Sequence, residues 1–303
     1  MNIIGHRRIW YTISLVLIVP GLISLIMFHL QLGIDFKGGS VLTISGPANS
    51  NVILSDAQAL GFKDVTIAGS GSSQTAIRYR DTATGAQAES NHQLFRTKLA
   101  KDGMSEVSFD TVSGSVSSDI ARNAILSIIA ASIAIVLYIA YAFRNMPPPV
   151  SPWAFGIAAI VALLHDAFFV IGLFSILGKV AGVEIDSLFV TAVLTIIGFS
   201  VHDTIVVFDR IRENLRRRKG TFEEVVNASI LETFARSLNT SITVLLTLLA
   251  LFLFGGSSTK LFILALLAGI ASGTYSSIFN ASPLLVSWHN YKQKKLLATP
   301  KRS

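Results

Sequence analysis

The stretch Asp186-Ser-Leu-Phe-Val-Thr-Ala-Val-Leu-Thr-Ile-Ile-Gly-Phe-Ser-Val-His-Asp-Thr-Ile-Val-Val-Phe-Asp209 decides how the rest of the chain is read. Its charge-free core, Ser187 to Val201, runs directly into His202 and Asp203. Crossing bilayer hydrocarbon takes about 20 mostly apolar residues, so the stretch is predicted to span a membrane as a helix. An Asp at the centre of such a helix costs roughly 2.5–3.5 kcal/mol on insertion scales, which marks the position as functional, often for a proton or an ion. Directly behind it, Asp209-Arg-Ile-Arg-Glu-Asn-Leu-Arg-Arg-Arg-Lys219 reads as a cytoplasmic loop by its density of cations.

Composition agrees with a membrane protein. Hydrophobic residues make up 51% of the chain and charged residues only 14%, against about 25% charged in a soluble domain. The mean hydropathy is +0.59. The net charge of +7 does not point to nucleic acid, because Lys and Arg gather in short loops beside apolar runs, the positive-inside pattern. There is no cysteine, which excludes disulfide staples and thiol chemistry.

Six stretches are predicted to span: Trp10–Leu30, Ala124–Phe143, Trp153–Leu177, Leu188–Val207, Ser237–Phe254 and Leu261–Trp288. Arg7 and Arg8, Arg144, Arg210 to Lys219, and Lys292, Lys294 and Lys295 all fall on one side. The opposite short loops hold Lys179 and Lys260. Both termini are therefore expected in the cytoplasm of a multi-pass inner-membrane protein. The first span is too long in apolar residues for a signal peptide and lacks an Ala-x-Ala site, so it reads as an uncleaved anchor, kinked at Pro20-Gly21.

The expected organisation is a cytoplasmic N-terminus and first span over 1–30, an extracytoplasmic domain over 31–119, five helices over 120–288 with a cytoplasmic loop at 208–236, and a basic tail at 289–303. The domain reads as a β-α-β-β-α-β, ferredoxin-like unit. Its strands are expected at Ser40–Ser45, Lys63–Ala68, Gln74–Arg80 and Ser105–Thr111. One helix, capped by Ser50 or Asn51, is expected to run to Leu60, and a second over Glu89–Lys101 to turn Leu94, Phe95 and Leu99 inward. The loop Gly69-Ser-Gly-Ser-Ser73 lacks the Lys-Ser/Thr of a phosphate loop and reads as a hairpin turn. A lone His92 and dispersed carboxylates offer no metal site or nucleophile, and the chain has no Walker motif or Ser-His-Asp arrangement. No enzyme activity, metal or cofactor is expected.

Four motifs occur in order along these spans. They are Gly33-Ile-Asp-Phe-Lys-Gly-Gly39, Val161-Ala-Leu-Leu-His-Asp166, Gly198-Phe-Ser-Val-His-Asp-Thr-Ile-Val-Val-Phe-Asp-Arg-Ile-Arg-Glu-Asn214 and Glu232-Thr-Phe-Ala-Arg-Ser-Leu-Asn-Thr-Ser241. Together they resemble the SecD/SecF family of protein-export membrane proteins, on its SecF side. The resemblance covers nearly the whole chain. It implies a six-helix, RND-like half that pairs with SecD in a twelve-span unit and assists the SecYEG channel. Such a unit is expected to draw preprotein outward with the proton-motive force after SecA has pushed it. The resemblance further implies proton passage through Asp203 and Arg236. His202 stands where the family commonly has Asn, which places a second titratable group beside the proposed proton site.

On the residues alone, the proton-pathway candidates are Asp203, His202 and Thr204 on the fourth span, Arg236 and Asn239 on the fifth, and Asp166 on the third. Burial favours a carboxyl's neutral form and a nearby cation its charged form, so a carboxyl and an approachable arginine make a two-state element. If the fourth and fifth spans are neighbours, Arg236 is expected to reach Asp203. The plainer readings stay open: Asp203 and Asp166 as interhelical hydrogen-bond glue, and Arg236 as an interfacial residue snorkelling to water. Gly38 and Gly39 are expected to form a tight turn and a hinge. Ala265, Gly269, Gly273 and Ser277 recur every four residues and mark a close helix-packing face. Rival functions are half of an RND-type transporter for lipid or small molecules, and a non-conducting structural subunit.

Overall fold

The computed structural model describes residues 2–46, 49–69, 74–83, 85–147, 149 and 151–298. They divide into a helical unit (1–31 and 126–303) and an α+β unit (32–125). Among the described residues, six helices are long and apolar enough to cross a membrane.

In the helical unit, α1 is Arg7–Phe28, α6 Pro152–Ala181, α7 Ser187–Arg217 and α8 Phe222–Phe254. The last span comprises α9 (Lys260–Ser276), a π turn (Ser277–Ala281) and α10 (Ser282–Ala298). Capping chemistry sets several starts. Pro152 takes the first turn of α6, where its missing N–H costs nothing. The Asp186 carboxylate accepts from the Phe189 N–H at the start of α7. Thr221 and Glu224 form a reciprocal capping box on α8.

Segment 208–236 is not a loop, contrary to expectation. α7 continues to Arg217 and α8 begins at Phe222, leaving only 218–221 between them. The cause is an amphipathic continuation past the apolar run: Phe208, Ile211 and Asn214 on α7 and Val225, Val226, Ser229 and Ile230 on α8 are all buried. Glu232 accepts from Arg210 and Arg218 and, at 3.0 Å, from the Asn214 amide. Asn280 and Pro283 do not break the last span. The helix widens into the π turn just before Pro283, which has no N–H to offer a regular helix.

Glycines set two helix contacts. A Cβ added at Gly172 would lie 2.7 Å from the Gly21 Cα, so α1 and α6 meet backbone to backbone. The stripe on α9 faces α7, with Gly269 under Ile196 and Gly273 against Ser200. Gly172→Leu is expected to separate α1 from α6 and to destabilise the helical unit by roughly the 1–3 kcal/mol of an overpacked core, seen as a lower thermal unfolding midpoint in detergent. The same change at Gly156, where a Cβ meets nothing within 4 Å, is expected to be close to neutral.

The α+β unit follows the predicted order: β1 (Gly39–Ser45), α3 (Ser50–Ala59), β2 (Lys63–Gly69), β3 (Gln74–Arg80), α4 (Ala86–Lys101) and β4 (Ser105–Val112). A short helix α2 (Ile34–Lys37) precedes it, and α5 (Gly114–Ala142) follows. The antiparallel sheet runs β2-β3-β1-β4, with Leu42 opposite both Ile77 and Phe109. Leu42, Ile44, Ile53, Phe62, Ile77, Tyr79, Phe95 and Leu99 form its core.

Two details differ from the sequence reading. Leu94 is 52% exposed, and the buried neighbour of Phe95 and Leu99 is instead His92, stacked on Phe109. The cap of α3 is Asn49, whose side chain accepts from the Asn51 N–H. The hairpin loop expected at 69–73 lies outside the described residues from 70 onward. Gly38 and Gly39 have φ of 72° and 125°. With ψ of 164° at Gly38, the turn there is one that L side chains avoid.

Candidate functional site

Among the described residues, two carboxylates are buried inside the helical unit. Asp203, on α7, is 2% exposed, and Asp166, on α6, is wholly enclosed. Their surroundings differ.

Asp166 is held by four donors from three helices. Its Oδ2 accepts from the Ser200 hydroxyl at 2.5 Å and from Ser276 at 2.6 Å. Its Oδ1 accepts from Ser272 at 2.8 Å and lies 3.0 Å from Nδ1 of His165. Ser200 belongs to α7, while Ser272 and Ser276 stand one turn apart on α9. A carboxylate in hydrocarbon needs such partners, because no water is there to supply them. The close approach of α9 allows the cage. At Gly273 even a methyl group would come within 3.6 Å of the carboxylate.

Asp203 has a looser setting three residues along α7 from Ser200. Its Oδ2 accepts from the Ser241 hydroxyl of α8 at 3.3 Å, and Ser241 in turn accepts from Thr274 of α9 at 2.6 Å. Thr204, also buried, donates to the Ser200 carbonyl at 3.0 Å and pairs with the Ser277 hydroxyl of the π turn. Asp203 therefore sits among hydroxyls, with one weak bond of its own.

The other candidates are not gathered around it. Arg236 lies on an exposed face of α8 and makes no ion pair among the described residues, so the expected Arg236–Asp203 contact is not made within this chain. Asn239 shares that face with Thr240, Thr243 and Thr247. His202 points outward from α7, in line with exposed Thr191, Thr195 and Gly198 at three- and four-residue spacing. The helix period causes this: 100° per residue turns His202 outward where Asp203 turns inward. The serines of the Asp166 cage did not stand out in the sequence. Their only signal there is the four-residue step from Ser272 to Ser276 on the face that carries Gly269 and Gly273.

Six spanning helices, one interposed ferredoxin-like sheet and a buried intramembrane carboxylate pair define a polytopic membrane protein of the transporter class. Family models agree. Residues 93–291 match the model described as protein export membrane protein SecD/SecF, C-terminal, and residues 23–45 match the SecD/SecF GG motif. The chain is 46% identical over 304 residues to the protein translocase subunit SecF of Thermobaculum terrenum, covering 96% of this chain and 94% of that one. It is 35% identical to SecDF of Bacillus subtilis, covering 96% of this chain but 38% of the longer protein. The crystal structure of SecDF from Thermus thermophilus superposes with a TM-score of 0.82 at 31% identity, over 96% of this chain and 39% of that one. The chain belongs to the SecD/SecF family, as a SecF-type protein translocase subunit rather than an enzyme.

Proposed function

We propose that this subunit couples the proton-motive force to preprotein movement, as one half of a twelve-span unit completed by a SecD-type partner. In that reading the unit works beside the SecYEG channel, follows the SecA-driven step, and holds residues 31–119 outside the membrane with both termini in the cytoplasm. The α+β unit binds the emerging polypeptide, and the Gly38-Gly39 turn is its hinge. Asp203 takes up and releases the proton, Thr204 and Asp166 hold the helix that carries it, and Arg236, His202 and Asn239 lie along the route.

One observation carries the reading. The spanning helices α7 and α8 turn a guanidinium, an imidazole, an amide and several hydroxyls to the surface of the chain. Charged groups at such depth face a protein partner or a water-filled path rather than lipid. A second six-helix half supplies both. In the Bacillus and Thermus relatives, the region matched by this chain is part of a longer SecDF polypeptide.

The chain has no native cysteine, so single-cysteine crosslinking has no background. Asn239→Cys, co-expressed with a SecD-type partner, is expected to crosslink to it, whereas Leu253→Cys, 60% exposed on α8, is expected to meet lipid only. Asn239→Cys reacting only with a lipid-soluble reagent, with the partner present and co-purifying, would overturn the proposed interface.

A further inference from the structure

A cleft of about 490 Å³ opens inside the α+β unit, where α4 begins. Ligand pockets ordinarily span about 300–1,000 Å³. Gly38 and Gly39 form one side, Ala88 and His92 of α4 another, and Phe109 and Thr111 of β4 a third. Two cations in the lining, Lys37 and Arg80, balance two carboxylates, Asp81 and Glu89. The cleft therefore selects no net charge. Arg80 pairs with Asp64, Asp81 accepts from Asn91 at 2.9 Å, and Glu89 accepts from Gln93 at 3.0 Å.

Two buried polar atoms of the lining are left over. Tyr79 is 4% exposed and His92 7%. Neither the Tyr79 hydroxyl nor Nδ1 of His92 has a hydrogen-bond partner among the described residues. The Ser40 hydroxyl beside Tyr79 is taken by Thr111 at 3.0 Å. Burial, then Asp81 and Glu106, push the Tyr79 phenol up, so it stays an O–H donor. A carboxylate oxygen of Glu106 lies 3.5 Å from Nε2 of His92. It keeps the ring proton on Nε2 and leaves Nδ1 a bare acceptor. A buried polar atom without a partner carries its full desolvation cost, and two in one cleft ask for a ligand.

A free donor beside a free acceptor matches a peptide amide. We propose that this cleft binds an extended stretch of polypeptide by its backbone, a chain carbonyl accepting from Tyr79 and a chain N–H donating to Nδ1 of His92. β4 favours a chain over a small amide. It ends the sheet and pairs on its outer edge with no strand among the described residues, which leaves N–H and C=O groups for a further extended segment. The site presupposes that the α+β unit binds emerging polypeptide, as proposed above; a backbone-directed cleft then serves preproteins of any sequence.

Photoreactive labels on single cysteines test the site in the full chain, co-purified with a SecD-type partner. The probe is a reduced, carboxymethylated protein that cannot refold. A label at Ala88→Cys, in the cleft wall, is expected to capture it saturably. One at Thr66→Cys, on β2 at the far edge of the sheet, is not. Tyr79→Phe keeps its ring on Phe62 and Phe95. It is expected to raise the half-saturating probe concentration about fivefold, the worth of one hydrogen bond, without lowering the unfolding temperature. His92→Phe, which keeps the stack on Phe109, should weaken capture as much. Equal capture at Ala88→Cys and Thr66→Cys, or capture that Tyr79→Phe and His92→Phe leave unchanged, would overturn the cleft while leaving the α+β unit a polypeptide binder. Capture at neither position, with the partner labelled likewise and still capturing the probe, would overturn polypeptide binding by this unit and the cleft with it.

Discussion

Asp203→Asn membranes are expected to export preprotein at the gradient-free rate whether or not a proton gradient is applied, with the subunit present at its normal level. The substitution keeps shape, and an amide oxygen still accepts the single bond from Ser241. What it removes is the ability to ionise. Because Asp203 is buried on one weak hydrogen bond and makes no ion pair within hydrogen-bonding reach among the described residues, its change of charge state is open to being set by an approaching partner. Arg236→Ala is expected to give the same loss, and the double substitution to be little worse than either alone, since groups acting as one unit are not additive. The measurement is export in membrane vesicles with and without the gradient. A full gradient-dependent gain in Asp203→Asn vesicles would reduce Asp203 to a packing residue.

Asp166 should behave in the opposite way. Asp166→Leu is expected to destabilise the helical unit by roughly 2 kcal/mol, at about 0.6 kcal/mol for each of its three interhelical bonds. Three serine hydroxyls and the His165 ring would lose their acceptor. Asp166→Asn, which keeps one acceptor oxygen, should lose about half as much. Thermal unfolding in detergent measures both. The diagnostic variant adds Ser200→Ala, Ser272→Ala and Ser276→Ala to Asp166→Leu. With the orphaned hydroxyls gone, part of the stability should return, because an unsatisfied buried polar group costs more than an apolar pair. If Asp166→Leu unfolds at the temperature of the unmodified chain, the four contacts carry no net energy and the cage is not what joins α6, α7 and α9.

The contrast between these two residues is absent from the linear chain. In sequence each is an Asp preceded by His within an apolar run, and the motif resemblance pointed to Asp203 rather than Asp166. The difference lies in what arrives from other helices: three serines for one, a single serine for the other. Ser is small and common in spanning helices, and nothing local says which Ser will meet a carboxylate.

Much else was legible. Charge density against apolar length located six spans, because a bilayer imposes a length and excludes charge on each helix separately. Alternation and turn residues yielded the β-α-β-β-α-β order, since each element there shows its own period. The four-residue stripe on α9 foretold a close packing face, and the structure puts α7 on it. The errors share one cause. Hydrophobicity misleads about facing on α4, where Leu94 is exposed and His92 is buried with its ring stacked on Phe109. The segment 208–236 was read as a loop because charge ends a membrane span, yet charge does not end a helix whose other face is buried.

By itself, then, the sequence determined the class, the number of spans, the interposed domain and the family, all of which rest on local composition, period and motif. Tertiary structure alone decided that Asp166 is caged and Asp203 nearly free, and that Arg236 and His202 face outward. These are relations between residues up to 110 positions apart. They depend on the rotation of one helix against another, which close-packed side chains settle and no single stretch of chain encodes.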